Sequence, residues 1–174
     1  MARIAVLTVS DRAARGEYED KGGPAAEAWL RAVITSDIEI IRRVTPDGRA
    51  LVADALRDLA DVWGADLILA TGGTGPAPRD LTPEAMADVI SLALPGFGET
   101  MRHANGRVVA TAMLSRQGAG VRGKTLIITL PGSPNAIGTS LEAVFAAVPY
   151  CLDLIGAGRI ETDPAVIKSH RPKT

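Results

Sequence analysis

Short apolar runs alternate along this chain with longer segments in which apolar residues recur at helical spacing. The runs, each of a length typical of one strand, cover residues 4–9, 38–44, 66–71 and 125–130. Between them, signals such as a threonine before a proline mark where helices begin, and Thr82 is expected to cap a helix that continues with Pro83. Alternation with short connections predicts an α/β fold, a three-layer α/β/α sandwich with a mostly parallel central sheet and helices on both faces.

The remaining segments complete the predicted organisation. Residues 108–114 favour a further strand, paired as a hairpin with the residues that follow. Neither an internal repeat nor a linker divides the sequence, so residues 1–174 are expected to form a single domain. Residues 156–174 are expected to be its polar C-terminal tail.

Composition and charge exclude several classes of function. The 19 basic and 20 acidic residues give a net charge of −1, which is unsuited to wrapping nucleic acid. One cysteine and two histidines provide neither an internal disulfide nor a Cys/His metal cluster. The first apolar run is too short for a signal peptide, and charged residues and a proline interrupt the stretch 141–155. We therefore expect a cytoplasmic protein that uses neither a membrane nor nucleic acid as a partner.

Polar and glycine-rich residues follow each predicted strand, where an open parallel sheet binds its ligands. The first strand ends in Ser10-Asp11-Arg12 and the third enters the turn 71–75, TGGTG. The last strand ends in the turn 131–134, PGSP. Glycines let backbone N–H groups approach a ligand closely, and a helix N-terminus favours negative charge, so both turns suit phosphate or carboxylate. For residues 131–134, a simple helix cap is an equally good explanation.

Residues 118–125, GAGVRGKT, match the P-loop pattern letter for letter. A P-loop lies between a strand and a helix, so that the helix N-terminus faces the phosphates. Here a strand follows instead, so we predict a turn between two strands. A P-loop-type NTPase that uses Lys124 is kept as an alternative.

Charge patterning gives two further indications. No acidic residue lies between Glu99 and Glu142. The basic residues in this stretch either form a surface that attracts anions or are scattered over the solvent-exposed surface without a function; they are Arg102, Arg107, Arg116, Arg122 and Lys124.

Asp47 and Asp80 lie in loops that follow the second and third strands, and two such carboxylates suit Mg²⁺ held against substrate phosphates. Asp47 is equally well placed to cap the next helix.

Several stretches together resemble one known family. They are TVSDRAARGEYEDKGGPA, ATGGTGPAPRDLTPEA, LPGFGETMR, ATAMLSRQGAG, LPGSPNAI and VPYCLDLI. They are similar to the molybdopterin adenylyltransferases, which belong to a larger group of molybdenum-cofactor biosynthesis proteins with a molybdopterin-binding fold. The resemblance extends from the first strand to about residue 155, although some relatives have a longer segment before VPYC.

The resemblance implies an α/β/α sandwich that assembles as a homotrimer. It also implies Mg²⁺-dependent transfer of AMP from the co-substrate ATP to the terminal phosphate of molybdopterin, with release of pyrophosphate. A protein that inserts molybdate into the product is then a candidate partner. A non-catalytic molybdopterin-binding or scaffold protein of the same fold is the alternative.

The resemblance also assigns roles to residues. Asp47 and Asp80 match the two essential aspartates of the family, as catalytic residues and metal ligands. The residues implied to bind the nucleotide and the pterin are Ser10, Asp11, Thr71, Gly72, Gly73, Thr74, Gly75, Ser115, Arg116, Pro131, Gly132 and Ser133. None of these is required as a nucleophile, since charge neutralisation and positioning supply most of the catalysis when two anions are joined at phosphorus.

Overall fold

The computed structural model describes residues 1–172 and is built around one six-stranded sheet. The strands are β1 (Ala2–Val9), β2 (Ile38–Thr45), β3 (Leu67–Thr71), β4 (Leu92–Ala93), β5 (Ala119–Arg122) and β6 (Thr125–Leu130). They lie in the order β2-β1-β3-β6-β5-β4, and the first four strands of that order are mutually parallel. β5 is antiparallel to both of its neighbours. The prediction of a mostly parallel sheet is confirmed.

Helices cover both faces of this sheet. They are α1 (Asp11–Ala14), α2 (Gly22–Val33), α3 (Arg49–Arg57), α4 (Thr82–Ala87), α5 (Pro95–Gly106), α6 (Pro134–Val144) and α7 (Val148–Ile155). Successive side chains of a strand point to opposite faces, so Ile4 and Val6 pack with α2, α6 and α7. Ala5 and Leu7 pack with α3 and α4 on the other side. The two cores confirm the predicted three-layer arrangement.

The strands at the centre of the sheet are buried on both faces. Every residue of β3 and β6 is buried, as are seven of the eight residues of β1. Fully burying one leucine or isoleucine side chain stabilises a fold by about 1.5–3 kcal/mol, so these strands contribute much of the stability. Because β1, β3 and β6 are parallel neighbours, they end side by side at one edge of the sheet, which we call the carboxyl edge.

The strand predicted for residues 108–114 is wrong. The structure has a 3-10 helix, Ala110–Leu114, in which Met113 is 78% exposed, and Val108 before it is 76% exposed. β5 already pairs with β4 on one side and with β6 on the other, which leaves no partner in this part of the sheet for another strand.

The GAGVRGKT segment is a β-hairpin. Its residues include all of β5, the turn Gly123-Lys124 and the first residue of β6, and Gly123 adopts a φ of +57°. Arg122 pairs with Thr125 across the turn. The prediction of a turn between two strands is confirmed, and the segment lacks the following helix that a P-loop requires.

Residues 156–172 run back over the face that carries α2 and α7. Ile160 is fully buried and Ile167 is 9% exposed, and both belong to the core of that face. Thr162 forms an isolated antiparallel bridge with Ile34. The predicted polar tail is therefore packed against the protein as far as residue 172. Lys173 and Thr174 lie outside the described residues.

The stretch from Pro134 to Ile155 combines α6, a 3-10 turn (Phe145–Ala147) and α7. It is 22 residues long, and its length and composition alone are compatible with a membrane span. Ile137, Leu141 and Leu152 of this stretch are fully buried in the core on one face of the sheet. In this structure the stretch covers the sheet.

Candidate active site

The loops that follow β1, β3 and β6 meet at the carboxyl edge. Between them lies a small cleft of about 140 Å³, and four of the predicted binding residues line it: Ser10, Thr71, Gly72 and Gly132. These residues are far apart in sequence, and the parallel arrangement of the three strands brings them together. The carboxyl edge is therefore the candidate active site.

The turn after β3 forms the floor of the site. Gly72 and Gly73 have φ angles of +99° and +63°, which favour glycine. A Cβ atom on Gly72 would lie 2.3 Å from the carbonyl oxygen of Val9, so the turn passes directly against the end of β1. The Thr82 hydroxyl donates to the Gly72 carbonyl at 2.9 Å and makes no capping bond, so the expectation that Thr82 caps α4 is wrong.

Threonine hydroxyls join this turn to its two neighbouring segments. Oγ1 of Thr71 donates to the carbonyl of Pro131 at 2.7 Å. Oγ1 of Thr74 and Oγ of Ser115 lie 3.1 Å apart, within hydrogen-bonding distance. Gly132 and Ser133 continue from Pro131 into α6, where Ser133 occupies the N-cap position and makes no side-chain capping bond. The predicted binding residues from three segments thus form one connected rim.

Asp47 is joined to Asp11 by two reciprocal hydrogen bonds. The backbone N–H of Asp11 donates to Oδ2 of Asp47 at 2.8 Å, and the N–H of Asp47 donates to Oδ1 of Asp11 at 3.1 Å. The residue at the N-cap of α3 is Gly48, and the Asp47 side chain makes no capping bond to that helix. The alternative that Asp47 is a helix cap is therefore excluded.

Arg79 is a central cation of the site that sequence analysis did not identify. Its Nε and Nη2 donate to the two carboxylate oxygens of Asp11 at 2.5 and 2.9 Å, and Nη2 also donates to the Asp47 carbonyl at 2.9 Å. The hydrogen-bonded guanidinium holds the pKa of the Asp11 carboxyl below its ordinary value. Arg79 thereby fixes the loops after β1 and β2 beside the glycine turn.

The carboxylates of Asp47 and Asp80 flank the same turn. Oδ1 of Asp47 lies 3.3 Å from the point where a Cβ of Gly73 would stand. Oδ2 of Asp80 lies 2.7 Å from the corresponding point of Gly75 and accepts the N–H of Ala77 at 3.1 Å. Two negatively charged groups from different loops therefore approach glycines that are only two positions apart.

Arg116 stabilises the far side of the turn. Its guanidinium donates to the Gly75 carbonyl at 3.1 and 3.0 Å, to the Asp80 carbonyl at 2.5 Å and to Glu84. The hydrogen bond from the Arg116 guanidinium holds the pKa of the Glu84 carboxyl below its ordinary value. Most of the donors of Arg116 are thus engaged within the protein, which makes it a residue that positions the turn and Asp80.

The predicted basic surface is divided between opposite ends of the sheet. Arg102 and Arg116 lie near the carboxyl edge. Arg122 and Lys124 lie at the hairpin that begins β6, and Arg122 forms an ion pair with Asp61 there. β6 has six residues, so this hairpin is roughly 20 Å from the site at about 3.3 Å per residue.

Further lining residues were absent from the sequence-based assignment. Besides the predicted residues and Val9 and Ala13, the cleft is lined by Thr8, Tyr18, Asp20 and Gly22. Asp20 accepts the hydroxyl of Thr8 at 2.8 Å and the N–H of Gly23 at 3.0 Å, which fixes the beginning of α2 beside β1. An aspartate three residues before a helical glycine has the spacing of a capping residue, and that signal was available in the sequence.

The donor set at the turn fits a metal ion that arrives with a ligand. Within residues 1–172, no three His, Cys, Asp or Glu side chains come together in a group that could hold a metal. Mg²⁺, however, is commonly bound through one or two carboxylates together with substrate phosphates and water. Asp47 and Asp80 on either side of a glycine turn are compatible with that mode of binding.

Comparison with known proteins identifies the family. The model of the family described as "Probable molybdopterin binding domain" matches residues 5–150. The chain belongs to this molybdopterin-binding family.

Relatives across the family cover the chain almost completely. The molybdopterin adenylyltransferase of Escherichia coli K12 is 43% identical over 184 aligned positions, which cover 99% of this chain and 94% of that protein. The molybdopterin adenylyltransferase of Helicobacter pylori 26695 is 46% identical, with 98% of this chain and 97% of that protein covered. Among solved structures of the family, the molybdopterin biosynthesis enzyme MoaB of Thermus thermophilus has a TM-score of 0.83 and 42% identity, covering 92% of this chain and all of that one.

Proposed function

We propose that this protein is a molybdopterin adenylyltransferase, which transfers AMP from ATP to the terminal phosphate of molybdopterin and releases pyrophosphate. The observation that carries the proposal is the approach of Asp47 and Asp80 to one glycine turn at the carboxyl edge. Membership of the molybdopterin-binding family and relatives named for this activity support it.

The turn after β3 supplies the phosphate contacts in this proposal. The N–H of Gly72 already donates to the Leu130 carbonyl at 3.1 Å, so the N–H groups of Gly73, Thr74 and Gly75 are the ones that substrate oxygens would approach. Ser10 and Thr71 line one side of the turn, and Ser115 lies on the other. Two anionic substrates can therefore reach the turn from two directions.

Asp47 and Asp80 would hold Mg²⁺ when the nucleotide is bound. The ion would neutralise charge on the triphosphate and so reduce the repulsion between the two anionic substrates. The protein's own contribution is to keep the two carboxylates in place, through the Asp11 contacts of Asp47 and through the Ala77 N–H at Asp80. Arg79 and Arg116 fix the loops that carry them.

The reaction requires no protein nucleophile. An oxygen of the molybdopterin phosphate attacks the α-phosphorus of ATP, a new P–O bond forms, and the bond to the bridging oxygen breaks so that pyrophosphate leaves with the electron pair. The chain's other reactive groups lie elsewhere. Cys151 is on α7, where burial raises the pKa of its thiol, and His103 is on α5, where it contacts Arg107 just beyond the helix.

Pyrophosphate release tests the proposed function against a binding protein of the same fold. The purified protein is incubated with ATP, Mg²⁺ and molybdopterin, and release is compared with reactions that lack each component. An adenylyltransferase releases pyrophosphate only when all three are present. Binding of molybdopterin without release above background would contradict the proposal and support the non-catalytic alternative.

The two-carboxylate donor set predicts that Mg²⁺ binding depends on nucleotide. We expect the free protein to bind Mg²⁺ weakly, in the millimolar range or above, because two carboxylates provide too few ligands without phosphate oxygens. With a non-hydrolysable ATP analogue present, the affinity should rise at least tenfold. Isothermal titration with and without the analogue measures this, and tight binding of Mg²⁺ to the free protein would count against the assigned site.

Substituting Lys124 by alanine discriminates against the P-loop alternative. We expect AMP transfer to stay within about twofold of the unsubstituted protein, because Lys124 lies in the hairpin at the opposite end of β6. A P-loop enzyme would lose nearly all nucleotide turnover, since that lysine contacts the phosphates. Steady-state pyrophosphate release at saturating ATP gives the answer.

Assembly, location and partners are part of the same proposal. We infer a cytoplasmic homotrimer that passes its product to a molybdate-inserting protein, on the basis of the family resemblance. Light scattering after size-exclusion chromatography would test the trimer, because a monomer of 18.1 kDa is readily distinguished from a complex of three.

A further inference from the structure

A second and larger cleft opens beside the glycine turn. Its volume is about 420 Å³, within the range of sites that bind small molecules. The side chains of Met86, Pro95 and Met113 provide apolar walls, and Ser115 connects the cleft to Thr74 of the turn. A molecule in this cleft can therefore extend to the place where the phosphates meet.

Arg102 provides a fixed positive charge in this cleft. Its Nη1 donates to the carbonyl of Gln117 at 2.7 Å. Its Nη1 and Nη2 also lie close to Gly98 of α5, at 3.1 and 3.2 Å from the position that a Cβ atom on this glycine would occupy. Among residues 1–172, no carboxylate forms an ion pair with this half-buried guanidinium. A cation that is held in place and lacks a counter-ion is well prepared to bind an anion.

Gln117 is an independent sign that a polar ligand binds here. It lines the same cleft and is only 2% exposed, yet its side-chain nitrogen and oxygen have no hydrogen-bond partner in the described part of the chain. Burying an unpaired amide opposes folding, and such groups are rare in native proteins. A ligand that offers both a donor and an acceptor would satisfy it.

We propose that Arg102 and Gln117 bind the molybdopterin half of the substrate pair, at a distance from its reacting phosphate. The inference rests on the proposed function. In ATP the negative charge is confined to the triphosphate, which belongs at the glycine turn. Molybdopterin carries a second anionic group, its dithiolate, and a pterin ring with adjacent donors and acceptors. The unpaired cation and the unpaired amide match the second substrate.

Substitution of Arg102 by methionine tests the proposal, because methionine keeps the apolar stem and removes the charge. We expect the Kd for molybdopterin to rise about tenfold, while the Kd for Mg·ATP stays within twofold. Arg102→Lys should recover part of the loss. The probe is molybdopterin itself, kept anaerobic during binding, with bound and free molybdopterin separated by ultrafiltration and quantified by fluorescence after oxidation. Binding of Mg·ATP is measured by titration calorimetry.

Arg107→Met is the matched control. Arg107 directly follows the last residue of the same helix and is exposed, and its side chain lies 3.0 Å from a ring nitrogen of His103. Its replacement by methionine removes the same charge. Both Kd values should stay within twofold. Equal losses in the two variants would mean general electrostatic attraction and would overturn the proposal, as would a loss confined to Mg·ATP.

Gln117→Leu gives a second test that does not depend on the charge. If the amide only serves the fold, removing it leaves molybdopterin binding unchanged, and that result contradicts the proposal. We expect weaker molybdopterin binding together with an equal or higher Tm, because the variant no longer buries an unpaired amide. If the unsubstituted protein binds molybdopterin but Arg102→Met binds it equally well, only this inference fails. If the unsubstituted protein does not bind molybdopterin, the proposed function fails with it.

Discussion

Replacing Asp47 by asparagine should lower the rate of AMP transfer by about a hundredfold or more while leaving the fold intact. Asparagine can still accept the N–H of Asp11 through its side-chain oxygen, so the loop geometry is kept and only the negative charge is lost. Because α3 is not capped by this side chain, no helix stability is lost either. Pyrophosphate release and the melting temperature are measured on the same preparation.

Asp80→Asn should behave in the same way, because its amide oxygen can keep the contact with the Ala77 N–H. Asp54→Asn is the matched control, since Asp54 is an exposed aspartate on α3 that pairs with Arg57. It should retain full activity. Full activity in both Asp47→Asn and Asp80→Asn would remove the metal-binding assignment, whereas a lower melting temperature would indicate a structural role.

Gly72→Ala is expected to lower the free energy of unfolding by about 2–4 kcal/mol. The added Cβ would lie 2.3 Å from the backbone oxygen of Val9, and the φ of +99° is already unfavourable for alanine. Either β1 or the turn must move, so we expect AMP transfer to be lost as well. For a chain of this size the change corresponds to a decrease in Tm of roughly 5–15 °C.

Gly123→Ala is the control that separates two causes of destabilisation: the steric clash of a new Cβ atom with Val9 and the backbone strain of a positive φ. Gly123 also has a positive φ, +57°, but a Cβ there meets nothing within 4 Å. This variant should lose only about 1 kcal/mol and keep its activity. Denaturant unfolding measures both variants, and equal losses would show that the contact of Gly72 with β1 is unimportant.

The central strands of the sheet were predictable because strands that are buried on both faces consist almost entirely of apolar residues. β1, β3 and β6 are buried on both faces and therefore read as apolar runs. β4 has only two residues, both exposed, and β5 has four, so neither carries a recognisable period. The segment 108–114 is apolar yet exposed, and an apolar composition alone does not reveal whether a strand has a neighbour to pair with.

The candidate site was predictable to the extent that it follows strand ends. Asp47 and the glycine turn meet at the carboxyl edge because parallel strands end together. Ser115 follows a 3-10 helix instead, and only the family resemblance assigned it to the site. The contacts of Arg79 with Asp11 connect residues 68 positions apart, and no local pattern predicts them. For the same reason, the sequence could not show that Arg116 is engaged within the protein, or that Arg102 has no carboxylate partner among residues 1–172.

Locating the metal ion with the nucleotide bound tests directly whether Asp47 and Asp80 hold it. Crystals grown with a non-hydrolysable ATP analogue and Mn²⁺ in place of Mg²⁺ would show the ion by its anomalous scattering. We expect one ion that contacts the triphosphate and the carboxylates of Asp47 and Asp80, directly or through one water. An ion bound to the nucleotide but more than about 6 Å from both carboxylates, beyond one bridging water, would contradict this expectation.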